Sequence, residues 1–454
     1  MKTNSKTRDM TEGTIWKHLI LFSIPLMIGN LFQQLYNLVD SIVVGNFVGS
    51  EALAAVGTSM PIINMLVGFF MGLATGAGVV ISNYFGAKDQ KNLEKSIHTT
   101  LLLTIILGAV FTVIGIAIAP AMLHLMATPE DVFNDACTYL RIFFAGIWAL
   151  MIYNMGSGIL RAVGDSRRPL YFLCLTSITN MILDLLLVIV FDLGVFGVAL
   201  ATVISEIISA VLVLTILMRT EEAYRISLAK LHLNRKILGK ICTIGLPAGF
   251  QNAVISFSNV FVQSYINQFG SACMAGWASY LKVDQFMLLP LQTISMTCTT
   301  FIGQNKGATK PDRMHSGMRW SLGIALAVSV FLTLIVNLAA IPLMRLFTFD
   351  PEVIRYGRIF LHFISPFYFS ACFNQIHAGV LRGSGDAAGP MVIMLLSFVA
   401  FRQIYLFTIS HITDSFYPIA FAYPAGWIVC TLIMAVYFRF KWRKILESSA
   451  KAPS

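Results

Sequence analysis

The sequence predicts an all-α integral membrane protein with twelve transmembrane helices in two pseudo-symmetric six-helix lobes. Three observations carry that prediction. First, 57% of the 454 residues are hydrophobic and only 12% are charged, about half the roughly 25% charge of an average soluble domain. The mean hydropathy of +0.75 agrees. Second, the apolar residues run on for about 20 positions at a time, the length that crosses a bilayer as helix, instead of alternating as in a barrel strand. Third, basic residues collect in every second gap between those runs. Together these exclude a water-soluble enzyme and a disordered chain.

The runs lie at 17–44, 53–82, 97–120, 133–157, 168–191, 194–218, 237–266, 273–302, 317–342, 356–379, 389–410 and 416–438. The first follows a polar N-terminus and has no small-residue cleavage site after it, so it reads as a mature helix and not a signal peptide. With the N-terminus placed in the cytoplasm, the inner segments hold 26 of the 32 basic residues. They are Lys2, Lys6, Arg8 and Lys17, then Lys88, Lys91 and Lys95, then Arg161, Arg167 and Arg168. The central linker adds Arg219, Arg225, Lys230, Arg235, Lys236 and Lys240. Lys306, Lys310, Arg313 and Arg319 follow, then Arg382, then Arg439, Lys441, Arg443, Lys444 and Lys451. The outer loops at 45–52, 192–193, 267–272 and 411–415 hold none. The bias predicts a multi-pass protein of the inner (plasma) membrane with both termini cytoplasmic. Arg345, Arg355 and Arg358 break the pattern and are expected to pair with Asp350 and Glu352. The net charge of +10 therefore marks orientation, not nucleic acid.

The chain repeats itself. Residues 158–169 read GILRAVGDSRRP and residues 379–390 read GVLRGSGDAAGP, identical at six of twelve positions at an offset of 221. The same offset aligns Gly49-Ser50 with Gly270-Ser271 and Gly86-Ala87 with Gly307-Ala308, and an offset of 222 aligns Ile24-Pro25 with Leu246-Pro247. The expected division is a six-helix lobe over 1–218, a cytoplasmic linker over 219–236 and a second lobe over 237–454. Six spans are an even number, so both lobes enter the membrane in the same sense. Parallel repeats of this kind are frequent in secondary transporters. In the repeated loop the glycines suit a tight turn, the aspartate a helix cap and the proline a first helical turn. No phosphate-binding, HExxH or GxSxG pattern occurs, so neither nucleotide binding nor enzymatic activity is expected. The seven cysteines are scattered singly, which implies no metal site and no disulfide framework. No cofactor is expected beyond a coupling ion.

A charge at mid-membrane costs about 2.5–3.5 kcal/mol on insertion scales, so such residues are functional candidates. Here they are Asp40, Asp184, Glu206, Lys282, Asp284 and Arg402. In the first span Asn30, Gln33, Asn37, Asp40 and Ser41 recur at steps of three and four, one face of a helix. Ser177, Asn180 and Asp184 repeat this in span 5, and Thr202, Ser205, Glu206 and Ser209 in span 6. At 1.5 Å per residue, Asp40 lies about 6 Å, Asp184 about 10 Å and Thr202 about 12 Å from the outer ends of their spans. Asp40, Asn180, Asp184 and Thr202 can therefore share one layer and form a cation or proton site. In the second half Asn252, Ser256, Asn259 and Gln263 keep the stripe, but Phe261 and Tyr405 stand where the offset would put partners of Asp40 and Asp184. Ion coupling is thus expected in the first lobe only. Arg402 is one candidate partner for Asp284. Pro25 and Pro247 each remove a backbone bond inside a span and allow it to bend.

The stretch from Ile24-Pro25 through Gln33, Asp40 and Gly49, the GILRAVGDSRRP loop with Asn154 before it, and the Asn180/Asp184 pair resemble the multidrug and toxic compound extrusion (MATE) family. The resemblance covers nearly the whole chain, and the paired LRxxGD loops are its specific part. It implies a V-shaped pair of six-helix lobes that exports bulky, often cationic organic compounds in exchange for protons or sodium. It implies Asp40, Asn180, Asp184 and Thr202 as the cation site. It implies Gln33, Asn37 and Asn154 as drug-lining positions, to which the stripe adds Ser177. Small organic substrates and the bilayer are the expected partners, with no nucleic acid or nucleotide, acting as a monomer. The alternative is a lipid or polysaccharide-precursor flippase of the same superfamily, against which the scarcity of intramembrane bases argues.

Overall fold

A computed structural model describes residues 7–126, 128–413 and 415–450. The side chains of Asn37 and Ser41 lie outside the described residues. Among those described, the regular structure is entirely helical. The first half supplies α1 (Ile15–Val43), α2 (Ser50–Gly86), α3 (Gln90–Leu125), α4 (Glu130–Ala162), α5 (Arg167–Leu185) and α6 (Gly194–Arg219). The second supplies α7 (Arg235–Asn267), α8 (Ser271–Gly307), α9 (Pro311–Leu338), α10 (Ala340–Arg345), α11 (Pro351–Ile364) and α12 (Tyr368–Gly383). It continues with α13 (Ala388–Leu395), α14 (Arg402–Ile412), α15 (Phe416–Ala420) and α16 (Ala422–Ala450).

Among the described residues, ten helices are long and apolar enough to cross a membrane. They coincide with ten of the twelve runs. The other two depart for physical reasons. The seventh, α7, is a continuous helix of 33 residues, but Asn252, Ser256, Asn259 and Gln263 dilute its hydropathy. The tenth is broken by a 3-10 turn at Ser365–Phe367 into α11 and α12. Pro366 lies in that turn and cannot donate the bond that would continue α11. Span 11 is interrupted by a wide π turn at Leu396–Phe401. Faces such as Val113, Phe331 and Leu432, each more than half exposed, suit contact with acyl chains.

Two compact units emerge. One contains Met1–Asp9 and Ile24–Gly245, the other Met10–Ser23 and Leu246–Ser454. These units cut the chain elsewhere than at 218 and 237. The linker goes with the first unit because it docks on α3. Lys230 Nζ lies 2.9 Å from Glu94 Oε1, the Ser227 N–H donates to His98 Nε2 at 3.1 Å, and the Asn234 N–H donates to Thr99 Oγ1 at 3.1 Å. Met10–Ser23 goes with the second unit. The Met10 N–H donates to Gln304 Oε1 at 2.9 Å, Lys310 Nζ donates to the Thr11 carbonyl at 2.9 Å, and Arg313 Nη1 donates to the Gly13 carbonyl at 2.9 Å. Helices α1 and α7 therefore each change unit partway along, immediately before Ile24-Pro25 and Leu246-Pro247.

Within the first unit the helices approach closely through small residues, as membrane helices do in the absence of a hydrophobic force between them. Gly146 and Gly156 of α4 face Val203 and Val213 of α6, and Gly115 of α3 faces Phe144 of α4. Asp89 caps α3 by accepting the Asn92 N–H at 3.1 Å and the Asn92 amide at 2.6 Å. Those bonds hold its carboxyl below the usual carboxylate range. The two repeated loops are built alike. Gly164 and Gly385 hold φ of +88° and +94°, a region that L side chains avoid. Asp165 Oδ1 accepts from the Arg167 and Arg168 N–H groups, both at 3.1 Å, and Asp386 Oδ1 accepts from the Gly389 N–H at 3.1 Å. The outer arginines do not behave as expected. Among the described residues no ion pair joins Arg345, Arg355 or Arg358 to an acid. Asp350 is occupied in capping α11, where it accepts the Glu352 and Val353 N–H groups at 2.8 and 3.3 Å.

A close backbone approach between helices of the first unit lies at Gly76. A Cβ there would lie 2.5 Å from the Gly245 nitrogen and 2.6 Å from the Ile241 carbonyl oxygen. Gly76→Val should therefore force α2 and the start of α7 apart, at a cost of about 1–3 kcal/mol. The expected result is a melting temperature several degrees lower in detergent by fluorescence-detected size exclusion. An unchanged melting temperature would contradict this packing.

Candidate functional site

The first unit brings together the four residues predicted to form a cation site. Asp40 comes from α1, Asn180 and Asp184 from α5, and Thr202 from α6; the first three are 5%, 1% and 0% exposed. The Asp40 and Asp184 carboxyls lie within hydrogen-bond reach of each other. Ionised carboxylates only accept, so the pair can bond only if one of them carries a proton. With the Asn180 amide turned to satisfy its neighbours, its NH₂ donates to Asp184 Oδ2 at 2.8 Å and its oxygen accepts the Thr202 N–H at 3.2 Å. The Thr202 hydroxyl returns to its own helix, donating to the Val198 carbonyl at 3.1 Å. Oδ1 of Asp40 and Oδ1 of Asp184 are buried without a hydrogen-bond partner. These two oxygens are buried acceptors with room for a further partner.

Two further residues of this cluster were not anticipated. Tyr36 of α1 lies within hydrogen-bond reach of the Thr202 side chain, and Tyr139 of α4 is buried close to both aspartates. Tyr36 stands four residues before Asp40, one helical turn away, and that spacing was open to reading. Tyr139 sits in a span with no polar stripe and had no comparable signal. Glu206, one turn inward from Thr202 on α6, does not join the pair. It is half-buried, and its Oε2 is buried without a hydrogen-bond partner.

The remaining candidates scatter. Ser177 is buried on α5, one turn from Asn180. Gln33 is exposed on α1. The Asn154 amide donates to its own helix at the Leu150 carbonyl, 3.0 Å away. The side chain of Asn37 lies outside the described residues. Pro25 is buried within α1 and Pro247 is half-buried within α7, and both helices run through them.

The second unit does not pair Asp284 with Arg402. Asp284 Oδ1 accepts from the Tyr280 hydroxyl at 2.9 Å and from the Tyr368 hydroxyl. Arg402 instead donates through Nη2 to Ser258 Oγ at 2.9 Å and Asn259 Oδ1 at 2.8 Å. Its guanidinium lies 4.8 Å over the Tyr423 ring. The expected pairing failed because tyrosine Tyr280, at i−4, already satisfies the acid along its own helix. Lys282 is exposed and sits 5.2 Å over the Phe347 ring.

The chain as a whole has known relatives. The family model described as MatE matches residues 25–186 and 247–406. The chain belongs to the MatE family. The two matched segments are the two repeats, each beginning at the proline of its first helix. The chain is 30% identical to "Probable multidrug resistance protein YpnP" of Bacillus subtilis over 397 residues, covering 87% of this chain and 89% of that one. It is 27% identical to "Probable multidrug resistance protein YoeA" of the same organism over 446 residues, covering 96% of each. A solved structure described as "Outward-facing conformation of a multidrug resistance MATE family transporter of the MOP superfamily" matches with a TM-score of 0.92. It is 23% identical over 98% of this chain and 100% of that one, a likeness that speaks to fold. MatE membership makes the chain a multi-pass membrane transporter and not an enzyme.

The bonding at the aspartate pair has a direct test. Asp40→Asn keeps both a donor and an acceptor facing Asp184, whereas an apolar residue at 184 orphans Asn180 as well as Asp40. Asp40→Asn should leave the melting temperature of the purified protein near that of wild type. Asp184→Leu should cost about 1–3 kcal/mol per stranded group and lower it by several degrees. Equal melting temperatures for both variants would mean that the carboxyls do not depend on each other.

Proposed function

We propose that the protein is a secondary active antiporter that exports bulky, often cationic organic compounds in exchange for protons or sodium by alternating access. The observation that supports this most directly is the buried meeting of Asp40 and Asp184, each with an oxygen that lacks a partner. A proton or a sodium ion removes the repulsion between the two carboxyls and fills their open positions, and Asn180 holds Asp184 in place. When the ion leaves, the same oxygens must find water or the amine of a substrate. Occupancy of this site by ion or substrate in turn is antiport. The names of the two relatives, both described as multidrug resistance proteins, agree with organic substrates.

The second repeat has Phe261 and Tyr405 at the matching positions, so one ion site serves the whole chain. One charge crossing 100 mV supplies about 2.3 kcal/mol, which corresponds to a concentration ratio of about 50 for a neutral solute. The clustering of lysine and arginine supports a reading with both termini on the cytoplasmic face of the inner (plasma) membrane. Gln33, Asn37, Asn154 and Ser177 are assigned to the substrate path, and Pro25 and Pro247 to the bending of the helices that change unit. The chain carries no nucleotide-binding pattern and is taken to act as a monomer.

The test is efflux of ethidium from reconstituted vesicles under an imposed proton gradient and, separately, an imposed sodium gradient. Wild-type protein should respond to one of the two. Asp40→Asn and Asp184→Asn should each lower the gradient-driven rate at least about tenfold, the equivalent of 1.4 kcal/mol. Full activity of Asp40→Asn would remove that residue from the ion site.

A further inference from the structure

The second unit holds a buried charge that the proposed ion exchange leaves unused. Arg402 is 3% exposed. It lies in the span Ala388–Ile412, about 21 Å from the inner end and about 15 Å from the outer end at 1.5 Å per residue. Among the described residues no acid stands within ion-pair distance of it. Asp284 is engaged by Tyr280 and Tyr368. Of the five N–H donors of the guanidinium, the two on Nη2 are used, toward Ser258 and Asn259. Nε is buried without a partner.

The side chains around it come from three helices. Ser258 and Asn259 belong to α7, Gln403 to α14 and Tyr423 to α16. Gln403 Nε2 donates to Ser258 Oγ at 3.0 Å, and the Tyr423 hydroxyl donates to Asn259 Oδ1 at 3.3 Å. Asn259 is exposed, so the cluster has an open edge. A cross-link between α7, α14 and α16 would need only the two bonds that Nη2 makes, and a neutral amide could make them. An uncompensated guanidinium in hydrocarbon is far more expensive than that amide. The excess charge and the idle donor call for an anion. A planar fork of donors beside an aromatic ring fits a carboxylate or a phosphate.

We propose that Arg402, with Asn259 and Tyr423 at its open edge, binds the anionic group of a transported solute, so that the protein accepts zwitterions and organic anions as well as cations. This rests on the reading of the chain as an exporter of organic solutes and extends it to a second substrate class. The acids of the first unit hold the coupling ion or an amine, and the base of the second unit holds a carboxylate or phosphate.

The experiment compares a fluoroquinolone carrying a free carboxylate with its methyl ester, by equilibrium dialysis on the purified full-length protein and by transport in vesicles. Wild type should bind the acid more tightly than the ester. Arg402→Gln should raise the ratio of acid to ester Kd by about tenfold or more, the scale of one hydrogen bond to a charged group. Arg402→Lys should recover part of the preference, since it keeps the charge and loses the fork. Equal affinity of wild type for acid and ester would overturn the proposal. So would equal weakening of both probes in Arg402→Gln, which would make the arginine a structural brace. A chloride requirement for ethidium transport that Arg402→Gln abolishes would assign the site to the inorganic ion and overturn it too. Dialysis does not depend on a gradient, so failure of antiport leaves the dialysis result standing and failure at Arg402 leaves antiport standing.

Discussion

Two carboxyl groups that must share hydrocarbon, with no arginine or lysine paired to them among the described residues, are the constraint on which the first unit is organised. Asp40 and Asp184 cannot both be ionised in contact without severe repulsion, and neither can be left unbonded. The surrounding residues answer that problem with neutral groups. Asn180 bonds one carboxyl and reaches the backbone of α6, while Tyr36 and Tyr139 close the flanks. Had the aspartates met a guanidinium, the site would be a static ion pair. Among the described residues they meet neutral donors instead, so no fixed cation compensates them there.

The repeat separates scaffold from chemistry. The loops at 158–169 and 379–390 form the same turn with the same aspartate accepting N–H groups at the start of the next helix. The charged side chains inside the membrane have diverged. Asp40 and Asp184 face Phe261 and Tyr405 across the 221-residue offset, and by the same arithmetic Arg402 and Asp284 face Met181 and Ile63. Turn chemistry is fixed by backbone geometry and so is common to both halves. Buried charge depends on the side chains it meets, and each half has its own set.

Much of this was readable in the sequence because the helical period and the rise per residue are rigid quantities. Counting along three apolar runs was enough to put Asp40, Asp184 and Thr202 in one layer, with Asn180 one turn from Asp184. The reading failed where a side chain's partner lay far away in sequence. Tyr368 reaches Asp284 from 84 residues distant, and no local pattern announces it. Tyr139 is invisible for the same reason. The docking of the linker on α3 through His98, Thr99 and Glu94 is likewise tertiary, and it makes the charge-rich cytoplasmic linker a bound strap. The break in the tenth span was legible at Pro366, but the apolar run on both sides concealed it.

The helices that change unit carry a consequence for how the molecule is made. Met10–Ser23 is translated some three hundred codons before the residues it bonds with, Gln304, Lys310 and Arg313 among them. The opening third of the first helix must therefore wait without its neighbours until the second repeat has been made. A gene divided at the linker would yield two fragments, each missing one short piece of wall that only the other can supply. The halves descend from one repeat, but they cannot be assembled as independent copies of it.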